Sequence, residues 1–306
     1  MRFVVCGEAL IDLMPEEMIS PAESRWIARS GGGPFNTATA LAKLGLDTRF
    51  LGRLSTDTFG RQLRSHLEGA GVDLSIAVPT EDPTSLAVVS LDIQGRASYH
   101  FHFAGTSAFN WAPGELPDLD ADDWLHFGSI GAIIAPGARQ VLDFVRRTDA
   151  GVSFDLNVRP STLPDRAEYF GLISDLLTAV GKNGGIAKAS DEDIAWLVDD
   201  DSDPLGYAEG WAAEYGLSMF IVTLGPDGVV AVKPDGRRIQ VPGRRVDVVD
   251  TVGAGDTFMA GFLSAYAEDP TDVEAALARG VAAAAIVCTR KGAQPPTAAE
   301  VDALLA

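Results

Sequence analysis

Residues 124–154 decide the fold. Trp124-Leu125-His126-Phe127 reads as a short apolar strand, Gly137 to Arg147 as a helix, and Val152-Ser153-Phe154 as the next strand. The alternation continues downstream. Ala167 to Val180 reads as a helix, Ile186 to Ala189 as a strand, Pro204 to Tyr215 as a helix and Met219 to Thr223 as a strand. Upstream, Phe3 to Gly7 is a buried-strand run. Pro34 opens a helix that continues through Asn36 to Leu44 and stops at Gly45. Arg49 to Gly52 is a strand and Phe59 to Gly69 a helix. Strands alternating with helices predict an α/β fold whose mostly parallel sheet is covered on both faces.

Two stretches break the rhythm. Leu86 to Leu91 and Ala97 to Phe103 are rich in β-formers, with Asp92-Ile93-Gln94-Gly95 as the turn between them. This hairpin predicts a small accessory sheet. Val229 to Val232 and Arg238 to Val241 form a second hairpin around Asp235-Gly236. Two Ala-rich helices follow, Gly255 to Ala267 and Val273 to Thr289. No repeat, low-complexity tract or linker divides the chain, so residues 1–306 are expected to form one domain.

The 306 residues are 46% hydrophobic and 22% charged, which suits a packed domain. With 24 basic and 43 acidic side chains, the net charge is −19. That excludes nucleic acid and anionic membrane surfaces as natural partners. Any phosphate must therefore be held by a local device such as backbone amides or a metal. Cys6 and Cys288 sit in apolar runs without a CxxC, as expected of reduced thiols in a reducing compartment. No stretch reaches the ~18 apolar residues of a membrane span and the N-terminus has no signal pattern, so a soluble, cytoplasmic protein is expected.

Common motifs are missing. There is no GxxxxGK[ST]; Gly181-Lys182 is followed by Asn183. Gly253-x-Gly255 has Phe258 where a dinucleotide fingerprint needs its third Gly, and Gly128-Ser129-Ile130-Gly131 is not GxSxG. His100 and His102 share a strand face but form no HExxH.

Asp250-Thr251-Val252-Gly253-Ala254-Gly255-Asp256 lies between a strand and a helix. Its small residues allow close backbone approach, and several N–H groups converge at the positive helix N-terminus, an anion site. Asp256 would repel phosphate there. It reads either as a helix N-cap or as a base accepting a proton from an incoming hydroxyl.

That run resembles the second signature of the ribokinase-like carbohydrate kinases, the PfkB family. Gly31-Gly32-Gly33-Pro34-Phe35-Asn36-Thr37-Ala38 resembles the first signature. Gly52 to Gly60 is similar to the family's G-x-x-G-x-D-x-F-G, with Ser55 in place of Gly. Val222-Thr223-Leu224-Gly225-Pro226-Asp227-Gly228 is similar to its nucleotide loop. The four motifs run in family order over nearly the whole chain. Within the family, Gly7-Glu8-Ala9-Leu10-Ile11-Asp12, His126 to Ser129, Phe154 to Pro160 and Ala187 to Ser190 resemble the bacterial fructokinases.

The resemblance implies a three-layer α/β/α core with a β-sheet lid over about residues 10–30 and 84–108. It implies an ATP-dependent kinase acting on a neutral sugar, D-fructose to fructose 6-phosphate. 2-Keto-3-deoxygluconate kinase, ribokinase or nucleoside kinase are the alternatives, and a non-catalytic sugar sensor is the other class. A keto-acid wants an Arg clamp, and Tyr99 to Ala108 holds no Arg or Lys, which favours a neutral sugar. Asp256 is implied as the base, with Gly253, Ala254 and Gly255 supplying amides and Arg159 meeting the phosphoryl group or the sugar. Asp12, Gly32, Gly33, Asn36 and Asn157 are implied in the sugar pocket, with Phe101, His102 and Phe103 covering it. Lys188, Ser190, Thr223, Gly225, Gly228, Gly253 and Gly255 are expected at the nucleotide. Mg²⁺ is implied, with Asp193 of Ser190-Asp191-Glu192-Asp193 acting through water in place of the family's Glu. K⁺ is expected at the Asp250 carbonyl. Exposed lid edges predict a homodimer.

Overall fold

The structure is a computed structural model that describes residues 1–91 and 97–306. The expected turn at Asp92-Ile93-Gln94-Gly95 lies outside the described residues. In chain order the strands are Arg2–Cys6 (β1), Leu10–Ser20 (β2), Glu23–Gly31 (β3), Thr48–Leu51 (β4), Arg53–Ser55 (β5), Val78–Thr80 (β6) and Ser85–Leu91 (β7). Then come Ala97–His102 (β8), Asp123–Gly128 (β9), Gly151–Asp155 (β10), Ile186–Ser190 (β11), Met219–Thr223 (β12), Val229–Val232 (β13) and Arg238–Val241 (β14). The helices are Gly33–Lys43 (α1), Thr58–Ala70 (α2), Ala138–Arg147 (α3), Arg166–Gly181 (α4) and Asp191–Val198 (α5). Pro204–Tyr215 (α6), Ala254–Tyr266 (α7), Val273–Cys288 (α8) and Ala298–Leu305 (α9) complete the set.

The eight-stranded sheet has the order β14-β13-β12-β11-β10-β9-β1-β4. From β4 to β12 neighbouring strands run parallel, and β13 and β14 extend the edge as an antiparallel hairpin. The second hairpin is therefore part of the main sheet, not an insertion beside it. Helices on both faces explain the uninterrupted apolar strands: Phe3 to Cys6 is fully buried, as is Met219 to Val222. One core packs β9 and β10 against α3, α4 and α6, with Phe127 and Phe154 stacked 4.7 Å apart. Burying one such ring contributes about 1.5–3 kcal/mol. The other core packs α1, α7 and α8 on the opposite face, where the alanines of α8 let it approach α7 closely.

The accessory sheet has four strands in the order β3-β2-β7-β8. β7 pairs antiparallel with β8, as the hairpin pattern predicts, and β2 pairs parallel with β7 along Leu10↔Ser85 to Leu13↔Val88. The long β2–β3 hairpin adds nine further partner pairs that the loose alternation near Ala9 to Met14 did not display. Glu16, Glu17, Met18 and Glu23 are exposed, so half of this hairpin lacks the apolar stripe that marks a strand.

Candidate active site

Parallel strands deliver their C-terminal ends to one edge, where ligands bind in such sheets. β1 leads there to Glu8, β9 to Ser129 and β10 to Asn157. α1 and α7 add their N-termini, and the accessory sheet stands over them. Between them lies a cavity of about 370 Å³. Its walls include Asp12 from β2, Phe101 from β8, and Gly32, Gly33 and Asn36 from the start of α1. Asn157, Arg159 and the run Thr251 to Asp256 close the other side. Two wall residues hold strained backbones: Ser129 has φ 59° and Asn157 has φ 39°, a left-handed region that non-glycine residues rarely occupy.

Asp256 stands in the first turn of α7, buried, and accepts a 2.8 Å hydrogen bond from Asn36 Nδ2. It is not the cap of α7; Gly253 is, in a left-handed conformation with φ 77°. That separates the two readings of Asp256 and leaves its carboxylate facing the cavity. Burial pushes the carboxyl up to about 6. The Asn36 bond opposes this, Asp155 reinforces it, and Lys188 and Arg159 oppose it. Asp12 is likewise pushed up to about 6 by burial, against the pull of Arg29 and Arg159.

Among the described residues, the N–H groups of Gly253, Gly255 and Asp256 have no acceptor. They are left available to an anion at the start of α7. Ala254 does not contribute as expected, because its N–H donates to the Thr251 carbonyl at 3.1 Å, closing the turn that precedes the helix. The set therefore draws on Asp256's own amide instead.

A profile of the pfkB family carbohydrate kinases matches residues 2–300. The chain belongs to this kinase family. It is similar to a fructokinase of Rhizobium leguminosarum bv. trifolii, 36% identical over 268 residues that span 86% of this chain and 79% of the relative. Among solved structures, the Vibrio cholerae O395 fructokinase in fructose-, ADP- and calcium-bound form matches with a TM-score of 0.83 at 26% identity, covering 100% of this chain and 99% of that one. The aminoimidazole riboside kinase from Salmonella enterica, with its riboside and an ATP analogue, also matches at 0.83 with 27% identity over 100% of both chains. The ribokinase-like fold and the sugar-kinase class expected from the four motifs are thus those of a pfkB carbohydrate kinase.

Not every expected residue reaches this kinase's cavity. His102 is exposed and one residue out of phase with Phe101; Tyr99, two residues before Phe101, lines the cavity instead. Phe103 packs on Phe109 in the core, 5.4 Å between ring centroids. The lid is not free of cations. Tyr99 to Ala108 does lack them, but Arg29 of β3 stands opposite Asp12 and acts on its charge.

Of the nucleotide candidates, Gly253 and Gly255 line the cavity, whereas Lys188, Ser190, Thr223, Gly225 and Gly228 lie along the same sheet edge outside its walls. Lys188 is buried in β11 and donates to both Asp155 oxygens at 3.1 and 2.9 Å. A Cβ on Gly255 would fall 2.9 Å from its ammonium, so Lys188 sits directly under the start of α7. Ser190 caps α5 by accepting from the Asp193 amide, and Thr223 ends β12 before a turn held by Gly225 and Gly228. Both Asp193 oxygens accept backbone amides, from Val158 at 3.0 Å and Ser190 at 2.9 Å. The Asp250 carboxylate accepts from Val252 and Gly292, tying the two loops together.

Sequence reasoning assigned no role to Glu8, Ser129 or Asp155. Glu8 is 1% exposed, and burial pushes it up to about 7. A carboxylate next to the apolar run Phe3 to Cys6 was the available signal, since acids are almost never fully buried without partners.

Proposed function

We propose that this kinase transfers the γ-phosphoryl group of ATP to the 6-hydroxyl of D-fructose, giving fructose 6-phosphate and ADP. The observation that carries it is the Asn36-held Asp256 carboxylate beside three unpaired amides in a cavity of sugar size. The hydroxyl proton passes to Asp256 as the oxygen–phosphorus bond forms and ADP leaves with the bridging oxygen. The Gly253, Gly255 and Asp256 amides stabilise charge on the transferring phosphoryl oxygens, and Arg159 at the cavity wall complements them. Asp12 accepts from sugar hydroxyls, while Tyr99 and Phe101 on the accessory sheet act as a lid that excludes water.

Electrostatics favour a neutral acceptor. Among the described residues, Glu8, Asp12 and Asp256 line the cavity against Arg159, with Arg29 acting on Asp12 from β3. A keto-acid carboxylate would meet net repulsion, whereas a polyol gains acceptors for its hydroxyls.

ATP occupies the edge beyond the anion hole, near Lys188, Ser190, Thr223, Gly225 and Gly228. Mg²⁺ would neutralise the phosphate charge. Asp193 fits a role through water: each oxygen keeps a lone pair after its amide bond. A K⁺ ion would use the Asp250 backbone carbonyl, since the side chain holds Val252 and Gly292. Free Cys6 and Cys288 suit a reducing cytoplasm.

A coupled ADP-release assay over D-fructose, D-ribose, 2-keto-3-deoxygluconate and aminoimidazole riboside tests the proposal, run with and without Mg²⁺ and K⁺. Fructose is expected to have the highest kcat/KM, with activity lost on chelation of Mg²⁺. A preference for the keto-acid or the riboside would overturn it.

The lid also supports pairing of two copies. Met18 is 77%, Trp26 44% and Ile19 41% exposed on its far half, and β3 and β8 are open edges. Such apolar surface on sheet edges suits a second copy of the chain. Sedimentation should give a dimer for the wild type and a monomer for Trp26→Glu; a monomeric wild type at micromolar concentration would refute the pairing.

A further inference from the structure

α1 has no side-chain cap of its own. Its cap position is Gly32, and no local side chain accepts from its first turn. The missing acceptor comes from 25 residues earlier: Glu8 Oε1 accepts from the Gly33 amide at 3.1 Å. The other oxygen, Oε2, accepts from the Gly131 amide at 2.9 Å. The Ser129 hydroxyl lies close enough to the Glu8 carboxylate to favour its charged form.

These donors belong to separate walls of the cavity. Gly33 begins the helix whose next turn places Asn36 against Asp256. Ser129 receives Asn157 Nδ2 at 3.3 Å, and its hydroxyl acts in turn on the Glu8 carboxylate, which links Asn157 to Glu8. Sterics reinforce the arrangement. A Cβ on Gly131 would lie 2.6 Å from Glu8 Oε2, and one on Gly32 would lie 2.6 Å from the Glu8 carbonyl oxygen. The carboxylate therefore fits a nest that closes only around an acceptor with two oxygens.

We propose that Glu8 is the positioning residue of the sugar site: one buried carboxylate fixes the start of α1 and the strained Ser129 and Asn157 loops in register around the acceptor sugar. It touches no reacting atom. It acts through the Gly32–Gly33 turn and Asn157, whose spacing sets the shape of the sugar pocket. The carboxylate's own bonds to backbone amides reach α1 and the Ser129–Gly131 loop, not β11 or β12. The inference rests on the sugar site proposed above.

Glu8→Gln tests it. Glutamine keeps the volume but aims an NH₂ donor at an N–H donor, so the Gly33 or the Gly131 bond is lost. An unpaired buried amide of this kind predicts a rise in the KM for D-fructose of about tenfold or more, with the KM for ATP within about twofold. Glu8→Asp keeps the charge but is one methylene too short to reach both amides, and its fructose KM should fall between the two. Unchanged KM for fructose in Glu8→Gln overturns the proposal. So does an equal fall in kcat for all substrates with both KM values unchanged, which marks loss of folded enzyme. Failure of both variants to fold also overturns it, since Glu8 would then be a stability residue only. If the wild type itself does not turn over fructose, the failure lies with the sugar assignment instead.

Discussion

Asp256→Asn is expected to lower turnover at least ~100-fold, the usual scale for a general base. Binding of D-fructose should persist, because asparagine is isosteric and its carbonyl oxygen can still accept from Asn36 Nδ2. The Gly253, Gly255 and residue-256 amides stay in place, so phosphate contacts survive as well. What disappears is the only group in the hole able to take a proton. The wild type adds an independent check. Burial holds the Asp256 carboxyl up at about 6, so the ionised base is depleted below that pH. Activity should therefore fall by about one decade per pH unit on the acid side. Stability moves the other way for this group. Its folded pKa lies above the unfolded carboxyl value, so between about pH 4 and 6 the folded state binds more protons, and this contribution weakens as pH rises through that window. Near-normal turnover in Asp256→Asn, or a flat wild-type profile from pH 8 to 5, would remove Asp256 from the reaction.

The parallel sheet was legible because each strand is a short apolar run between helices. Gly32, Gly33, Asn36 and residues 251–256, singled out by their motifs, are brought by the fold to the walls of one cavity. The rest failed for physical reasons. His102 and Phe101 are neighbours on a strand, and the sequence does not say which of the two alternating faces looks inward; a shift of one residue exchanges them. Ala254 was taken as an amide donor, but its N–H closes a turn with Thr251, and backbone hydrogen bonds leave no residue signature. Glu8 was hidden because its partners are backbone amides 25 and 123 residues away. Arg29 was overlooked because β3 shows no apolar period, so its register against Asp12 emerged only with the folded hairpin.

Lys188 is also one half of a buried ion pair. It interrupts the apolar run Ile186-Ala187-Lys188-Ala189, and its register partner on β10 is Asp155. The two side chains are 5% and 7% exposed. Burial lowers the ammonium pKa, but Asp155, Asp193 and Asp256 outweigh that cost and hold it above its ordinary value. Lys188→Met preserves the stem and removes the charge, leaving Asp155 buried without its cation. Breaking a buried pair from one side costs about 3–5 kcal/mol, read here as a lower urea midpoint at constant m-value. Replacing both partners, as in Lys188→Met with Asp155→Leu, should recover most of that loss, because the expense lies in the orphaned charge and not in the missing bond. The single variant should also shift the acid limb of kcat/KM upward. Lys188 lowers the Asp256 carboxyl pKa and Asp155 raises it, so removing the cation alone leaves the base harder to ionise. A Lys188→Met variant within about 1 kcal/mol of the wild type would mean that the pair is solvated in solution. An unmoved acid limb would mean that Lys188 does not tune the base.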